Sequence, residues 1–331
     1  MHIALDHLRV EMPGHRALDD VSSEIPSGTV TAVIGPSGAG KSSLLGVAAG
    51  LIRPDSGTVR FDGVDVTASA PEARRLGVVF QELRLFDFLS GRDNVGFGPR
   101  MEGASAAEVR SRVDEALELV RATAFAERSV RVLSGGERQR IAIARAIAAR
   151  PRALLLDEPF AALDADLRRS LREELRALVK RLGWTVLLVT HDRDDAFALA
   201  SRFIVLHQGR VEQAGDAASL YETPASEFVA TLLGEATILP VSERRDDRAL
   251  VCGEWIAVTG QGARVVLRPE AFEVATSGPG WAASLVDARF AGSGWRLVVQ
   301  LADGARIVAV TAAAPLAQAL FVRLRAAAHT L

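Results

Sequence analysis

"TVTAVIGPSGAGKSSLLGVAAGLI", residues 29 to 52, decides the fold. The β-branched run from Thr29 to Ile34 reads as a strand, and the apolar pattern after Lys41 reads as a helix. Between them "GPSGAGKS" fits G-x-x-x-x-G-K-[ST] in the strand-loop-helix setting the pattern needs. Glycines let backbone N–H groups curl around phosphate oxygens, and the helix start adds its own positive end. Lys41 is placed to reach the β and γ phosphates, and Ser42 to ligate Mg²⁺. Gly35, Pro36, Ser37, Gly38, Ala39, Gly40, Lys41, Ser42 and Ser43 therefore form the candidate cradle for the phosphates of a nucleotide.

Working outward, short alternating stretches flank this unit. Among them "TVRFDGVDV" (58 to 66) carries the hairpin signal Asp62-Gly63 and implies an antiparallel layer. Residues 104 to 128 place Val109, Val113, Leu117 and Val120 at helical spacing, so a helical subdomain is expected over about 85 to 135. The α/β rhythm returns at "ALLLDEP" (153 to 159), with a helix at 165 to 182, a strand at "TVLLVTH" (185 to 191), another helix and a strand at "FIVLHQGRV" (203 to 211). Apolar strands separated by helices imply a buried parallel sheet. After about residue 235 the chain reads as short strands and turns, including a hairpin around Asp303-Gly304. The charged stretch "SERRDDR" (242 to 248) reads as a surface connection entering a small all-β domain. The expected division is 1–234 and 235–331.

The composition narrows the function. With 49% apolar and 24% charged residues, 331 residues can bury at least one large core. Its 39 basic and 41 acidic side chains leave a formal charge of −2, which disfavours nucleic acid as a partner. The lone Cys252 cannot form an internal disulfide and reads as packing filler. The first ten residues lack the pattern of a secretory signal, and no apolar run approaches the ~18 residues of a membrane span. Work at a membrane is then expected to go through a partner.

Three strand ends add chemistry to the phosphate loop. "ALLLDEP" ends in Asp157 and Glu158, where open α/β sheets put ligands; Asp157 is placed to hold Mg²⁺ and Glu158 to take a proton from the attacking water. Gln81 ends the apolar "GVVFQ", and His191 closes "TVLLVTH". Each alone reads as a polar cap, but four strand ends bearing Lys/Ser, Gln, Asp/Glu and His point together to a nucleotide site.

With these motifs in order, and with "LSGGERQR" at 133 to 140, the chain resembles the ATP-binding-cassette ATPases along nearly its whole length. The last motif is the specific one, because phosphate loops occur in many kinases and GTPases. The resemblance implies an α/β P-loop NTPase (RecA-like) core with an antiparallel β layer and a helical subdomain, followed by a small C-terminal all-β, OB-like domain. It also implies ATP and Mg²⁺ as cofactors, with Gln81 near the metal and the reacting water, Asp164 in the loop "AALD", and His191 as the switch histidine. Two copies are expected to pair head to tail, so that Ser134, Gly135, Gly136 and Glu137 of one face the γ-phosphate held by the other. The cap that Ser134 forms on the helix "ERQRIAIARAIAAR" leaves N–H groups suited to an anion.

The chain departs from the family before "RALDDV", where an aromatic residue stacks on adenine in relatives and Met12 and His15 stand here. Met still contributes dispersion and apolar burial, so Met12 is the candidate base contact. The phrases "LYETPASEFVATLLGEATILPV" and "LRPEAF" resemble bacterial importers with a C-terminal transport-associated OB-like (TOBE) domain. Their implied partners are membrane-spanning permease subunits and, indirectly, an extracytoplasmic solute-binding protein, with the ATPase peripheral on the cytoplasmic face of the inner membrane. Ferric iron, molybdate- or sulfate-type oxyanions, polyamines and sugars are the cargo classes. The alternatives are a soluble cassette ATPase acting on nucleic acid or the ribosome, which lacks support from charge, and a small-molecule kinase, which leaves "LSGGERQR" unexplained.

Overall fold

A computed structural model describes residues 1–161, 163–314 and 319–331. Ala162, within "AALD", lies outside the described residues. The chain packs as two compact units, 1–217 and 218–331.

The first unit opens with strands β1 (Ile3–Met12), β2 (His15–Ile25) and β3 (Val30–Ile34), then helix α1 (Lys41–Ala49). Strands β4 (Ser56–Phe61) and β5 (Val64–Asp65), the short helix α2 (Pro71–Arg74) and β6 (Leu76–Val79) follow. Next come α3 (Gly91–Met101), α4 (Ala106–Leu119) and α5 (Gly135–Ala148), which form the helical region. The unit closes with β7 (Ala153–Asp157), α6 (Ala165–Leu182), β8 (Thr185–Val189), α7 (Arg193–Leu199), β9 (Arg202–His207) and β10 (Arg210–Asp216).

The central sheet has the order β10-β9-β3-β8-β7-β6, parallel from β9 to β6 and antiparallel only at the β10 edge. Strands β3, β7 and β8 are almost wholly apolar and buried along their length, as a sheet covered on both faces demands. One face packs on α1 and the antiparallel sheet β2-β1-β4-β5, around Leu18, Leu44, Leu45 and Phe61. Another core joins the helical region to α6 through Val113, Leu117, Ile141, Leu171 and Leu175. On α6 the buried residues Leu171, Leu175, Leu178 and Val179 recur at helical spacing, and Gly183 ends the helix with a left-handed C-cap.

The second unit carries the helices α8 (Ala217–Glu222) and α9 (Glu227–Leu233) before its strands. The structure therefore divides the chain earlier than the sequence suggests. The reason is Arg268: its buried guanidinium donates to the carbonyls of Tyr221 (3.0 Å) and Ala230 (2.7 Å), which draws residues 218–234 to the β domain. A six-stranded sheet holds β11 (Thr237–Pro240), β12 (Glu243–Arg245), β13 (Arg248–Val251), β14 (Glu254–Thr259), β15 (Arg264–Leu267) and the C-terminal strand Ala328–Thr330. Strands Phe272–Ala275, Trp281–Phe290, Trp295–Leu301, Arg306–Thr311 and Ala319–Leu324 form a five-stranded sheet over a core that includes Phe272, Trp281 and Leu297.

Two readings from sequence change. "SERRDDR" is the hairpin β12–β13 rather than a connection, with Asp246 at φ 48° in the turn. "FIVLHQGRV" is two strands, because Gln208 (φ 50°) and Gly209 (φ 78°) reverse the chain between β9 and β10. Cys252 lies in the turn between β13 and β14 at φ 48°, half-buried against the core of the β domain. Burial and the Asp303 carboxylate beside it push its thiol up to about 12, so it stays protonated.

Candidate functional site

The parallel strands end on one side of the sheet, and the loops leaving β3, β7 and β8 bring the phosphate loop, Asp157, Glu158 and His191 together there. Gly40 is the N-cap of α1 at φ 99°, and a Cβ on it would stand 2.2 Å from the Ala17 carbonyl oxygen, so only glycine lets the loop lie against β2. No side chain caps α1, and no acidic residue occupies its first turn. Its leading N–H groups thus face an incoming anion without an internal competitor.

Lys41 is buried, and its ammonium donates to the carbonyls of Gly35 (2.8 Å) and Pro36 (2.9 Å). Burial pulls its pKa down, while Glu158 and Asp157 oppose that. Neutral carbonyls hold the charge in place, and a charged phosphate oxygen is the stronger acceptor. Ser42 Oγ lies 3.3 Å from Asp157 Oδ1. Burial raises the Asp157 pKa, against the Ser42 hydrogen bond and the Lys41 and Arg84 charges. A hydroxyl and a half-desolvated carboxylate side by side are hard oxygen donors that fit Mg²⁺, which takes one or two carboxylates plus phosphate oxygens.

Glu158 sits at φ 47°, a left-handed backbone that a non-glycine residue rarely adopts, and its N–H donates to Val189 O at 2.9 Å. The strained turn aims the carboxylate at the end of β8. There Oε1 pairs with His191 Nδ1 at 2.7 Å, and Oε2 accepts from Thr190 Oγ1 at 3.3 Å. The Glu158 side chain is 11% exposed and that of His191 62%, so a shielded carboxylate is held by a histidine that faces solvent. A group held this way can accept a proton from water.

Among the described residues, the others expected at the site make no hydrogen bond or ion pair with this cluster. Ser134 caps α5 in a reciprocal box with Glu137: Ser134 Oγ accepts from the Glu137 N–H (3.3 Å), and Glu137 Oε2 accepts from the Ser134 N–H (2.8 Å). Gly136 is packed against α6, where a Cβ would stand 2.3 Å from Leu167 Cδ2. Among the described residues, no hydrogen bond or ion pair joins Ser134, Gly135, Gly136 or Glu137 to the Lys41–Asp157–Glu158 cluster. Asp164 is the N-cap of α6, and its Oδ1 accepts from the Leu167 N–H at 3.0 Å. Gln81 is exposed after β6, without a hydrogen bond to Ser42 or Asp157. Met12 ends β1 opposite His15 and packs, half-buried, against the core around α1.

Sequence reading missed Thr190, Arg168 and Asp192. Asp192 carried a signal as the cap of an acidic helix start, and it caps α7 through the N–H groups of Asp194 and Asp195. Arg168, which pairs with Asp192 from 24 residues away, carried none.

Known proteins place these features. The family model described as "ABC transporter" matches residues 18–161, and that of the TOBE domain matches 265–328. The spermidine/putrescine import ATP-binding protein PotA of Marinobacter nauticus is 37% identical over 322 residues, covering 93% of this chain and 86% of its own. The sulfate/thiosulfate import ATP-binding protein CysA 1 of Agrobacterium fabrum is 42% identical over 278 residues, 82% of this chain and 80% of its own. The Fe(3+) ions import ATP-binding protein FbpC of Pasteurella multocida is 40% identical over 289 residues, 85% and 83% of the two chains. Among solved structures, a dimeric ATP-binding cassette in a post-hydrolysis state with ADP and Pi matches at 31% identity and a TM-score of 0.58, over 65% of this chain and 98% of that one. The phosphate loop, the Asp157–Glu158 strand end, His191 and the capped "LSGGERQR" helix thus occur in a chain that belongs to the ABC transporter family, as an ATPase cassette followed by a TOBE domain.

Proposed function

We propose that this chain is the ATP-hydrolysing subunit of a bacterial importer, peripheral on the cytoplasmic face of the inner membrane. Two copies close head to tail on two ATP molecules and drive a membrane-spanning permease that receives solute from an extracytoplasmic binding protein. Lys41 and the first turn of α1 bind the β and γ phosphates, while Ser134 and Gly136 of the second copy approach from the opposite side. When bound, Mg²⁺ would be held by Ser42, Asp157 and Gln81 and would supply charge neutralisation on the phosphates. Glu158 accepts the proton of the attacking water, and His191 orients its carboxylate. Met12 packs on adenine, and Asp164 lies at the facing surface. Closure and release of the pair are the work step.

No helix among the described residues is long and apolar enough to cross a membrane, which agrees with a separate permease. The relatives' names span a polyamine, an oxyanion and ferric ion at 37–42% identity, which fits cargo selection outside this subunit. Ferric iron, a molybdate- or sulfate-type oxyanion, a polyamine or a sugar remain the cargo classes.

The observation that carries the two-copy reading is that "LSGGERQR" forms a well-capped helix start with no hydrogen bond or ion pair, among the described residues, to the phosphate cluster of its own chain. Mixing tests it. Lys41→Ala and Ser134→Arg are each inactive alone; after exchange, half the dimers are mixed and each has one intact site, giving about a quarter of parental activity. A site built within one chain predicts no rescue.

A further inference from the structure

Helix α6 presents Arg168 and Arg172 one turn apart on one face, and α7 answers with Asp192 and Asp195. Arg168 Nη1 donates to Asp192 Oδ2 at 2.6 Å, and Arg172 Nη1 lies 3.1 Å from Asp195 Oδ1. Asp192 divides its two oxygens: Oδ1 accepts from the N–H groups of Asp194 (2.8 Å) and Asp195 (3.1 Å), while Oδ2 faces Arg168. The backbone N–H of Asp192 donates to Thr190 Oγ1 at 3.0 Å, the same hydroxyl that donates to Glu158 Oε2. Both carboxylate oxygens of Glu158 are therefore held by the turn 190–192, and the free end of that turn is tied to α6.

We propose that Arg168 is a positioning residue: by fixing Asp192 it sets the turn that orients Thr190, His191 and the Glu158 carboxylate, and it links them to the helix that Asp164 caps. The inference rests on Glu158 being the base.

The chemistry favours orientation over mere stability. Oδ1 alone caps α7, so the helix start is satisfied without Arg168. The side chains of Arg168 and Asp192 are 24% and 28% exposed, so the pair is partly buried and its loss also costs some stability, which thermal unfolding reads separately from kcat. A rotation of the 190–192 segment moves the two groups that hold Glu158. Misplacing a reacting group by about 1 Å costs on the order of a hundredfold in rate.

The test uses the full-length chain and its own ATPase activity, with ATP affinity and thermal unfolding measured on the same samples. Arg168→Met is expected to lower kcat by about ten- to a hundredfold while KM and ATP affinity stay within about twofold. Asp192→Asn, which keeps the helix cap because Asn caps as well as Asp, is expected to lose as much. The double variant should be no slower than the worse single one, since both break one link. Arg168→Lys, which restores the charge, should recover most of kcat. Normal kcat in Arg168→Met or Asp192→Asn, losses that multiply in the double variant, or a loss confined to KM or to the ATP-binding fraction would each overturn the proposal. Glu158→Gln separates the two readings. Near-parental turnover in that variant removes the base assignment and this proposal with it. A dead Glu158→Gln beside a normal Arg168→Met removes only the positioning role.

Discussion

Gly136→Ala tests why "LSGGERQR" carries a glycine at its fourth position. An added Cβ would stand 2.3 Å from Leu167 Cδ2, 3.1 Å from Cγ and 3.2 Å from Cδ1, where carbon atoms prefer about 3.5–4.0 Å. Leu167 lies on the first turn of α6, half-buried against the helical core, so its whole branched end must move. Overpacking of this kind costs roughly 1–3 kcal/mol. For a unit of 217 residues each kcal/mol lowers Tm by about 2–4 °C, so a fall of roughly 2–12 °C is expected by calorimetry. The Cβ points at α6, inside the chain, so ATPase activity falls because the start of α5 is displaced. Leu167→Ala makes room. Gly136→Ala/Leu167→Ala is then expected to be no less stable than Leu167→Ala alone and to regain most of the activity that Gly136→Ala loses. An unchanged Tm in Gly136→Ala would refute the close approach. Recovered stability with activity still lost would refute the packing explanation and leave the glycine to the ligand side.

Two further outcomes follow from the site. Met12→Tyr should tighten ATP binding by ~0.5–1.5 kcal/mol, the value of an aromatic contact, with GTP as control; no gain for either nucleotide means that another residue covers the base. Asp195 is buried, its Oδ1 lacks a hydrogen bond despite Arg172 nearby, and burial and Asp192 push its carboxyl up to about 6 from the ordinary 3.8. The folded state therefore binds this proton more tightly than the unfolded state, and the group's contribution falls as pH rises from about 4 to 6 and is constant above. In denaturant titrations, the stability of Asp195→Asn relative to the parent should climb across that window by at most about 1.4 kcal/mol per pH unit; a flat difference overturns the assignment.

The residues proposed to bind phosphate and move a proton were legible because the patterns that mark them are local. A glycine-rich turn between a strand and a helix, two carboxylates at a strand's end and a serine three residues before a glutamate need only their neighbours to be recognised. The helix Ala165–Leu182 likewise shows its apolar spacing and its terminal glycine in one short stretch. Tight turns built on Gln208 or Asp246 escaped, because a left-handed residue other than glycine leaves a weaker mark than Asp62-Gly63 does.

What the sequence by itself determined is which segments carry chemistry and their order along the chain. Tertiary structure alone decided how they meet: β8 inserts between β3 and β7, so His191 reaches Glu158 across 33 residues. It also set Gly136 against Leu167 and tied Arg168 to Asp192. The physical reason is range. Backbone dihedrals, caps and turn signals are set within a few residues, whereas strand order and the pairing of side chains on different helices depend on which distant surfaces pack together, and no local pattern encodes that choice.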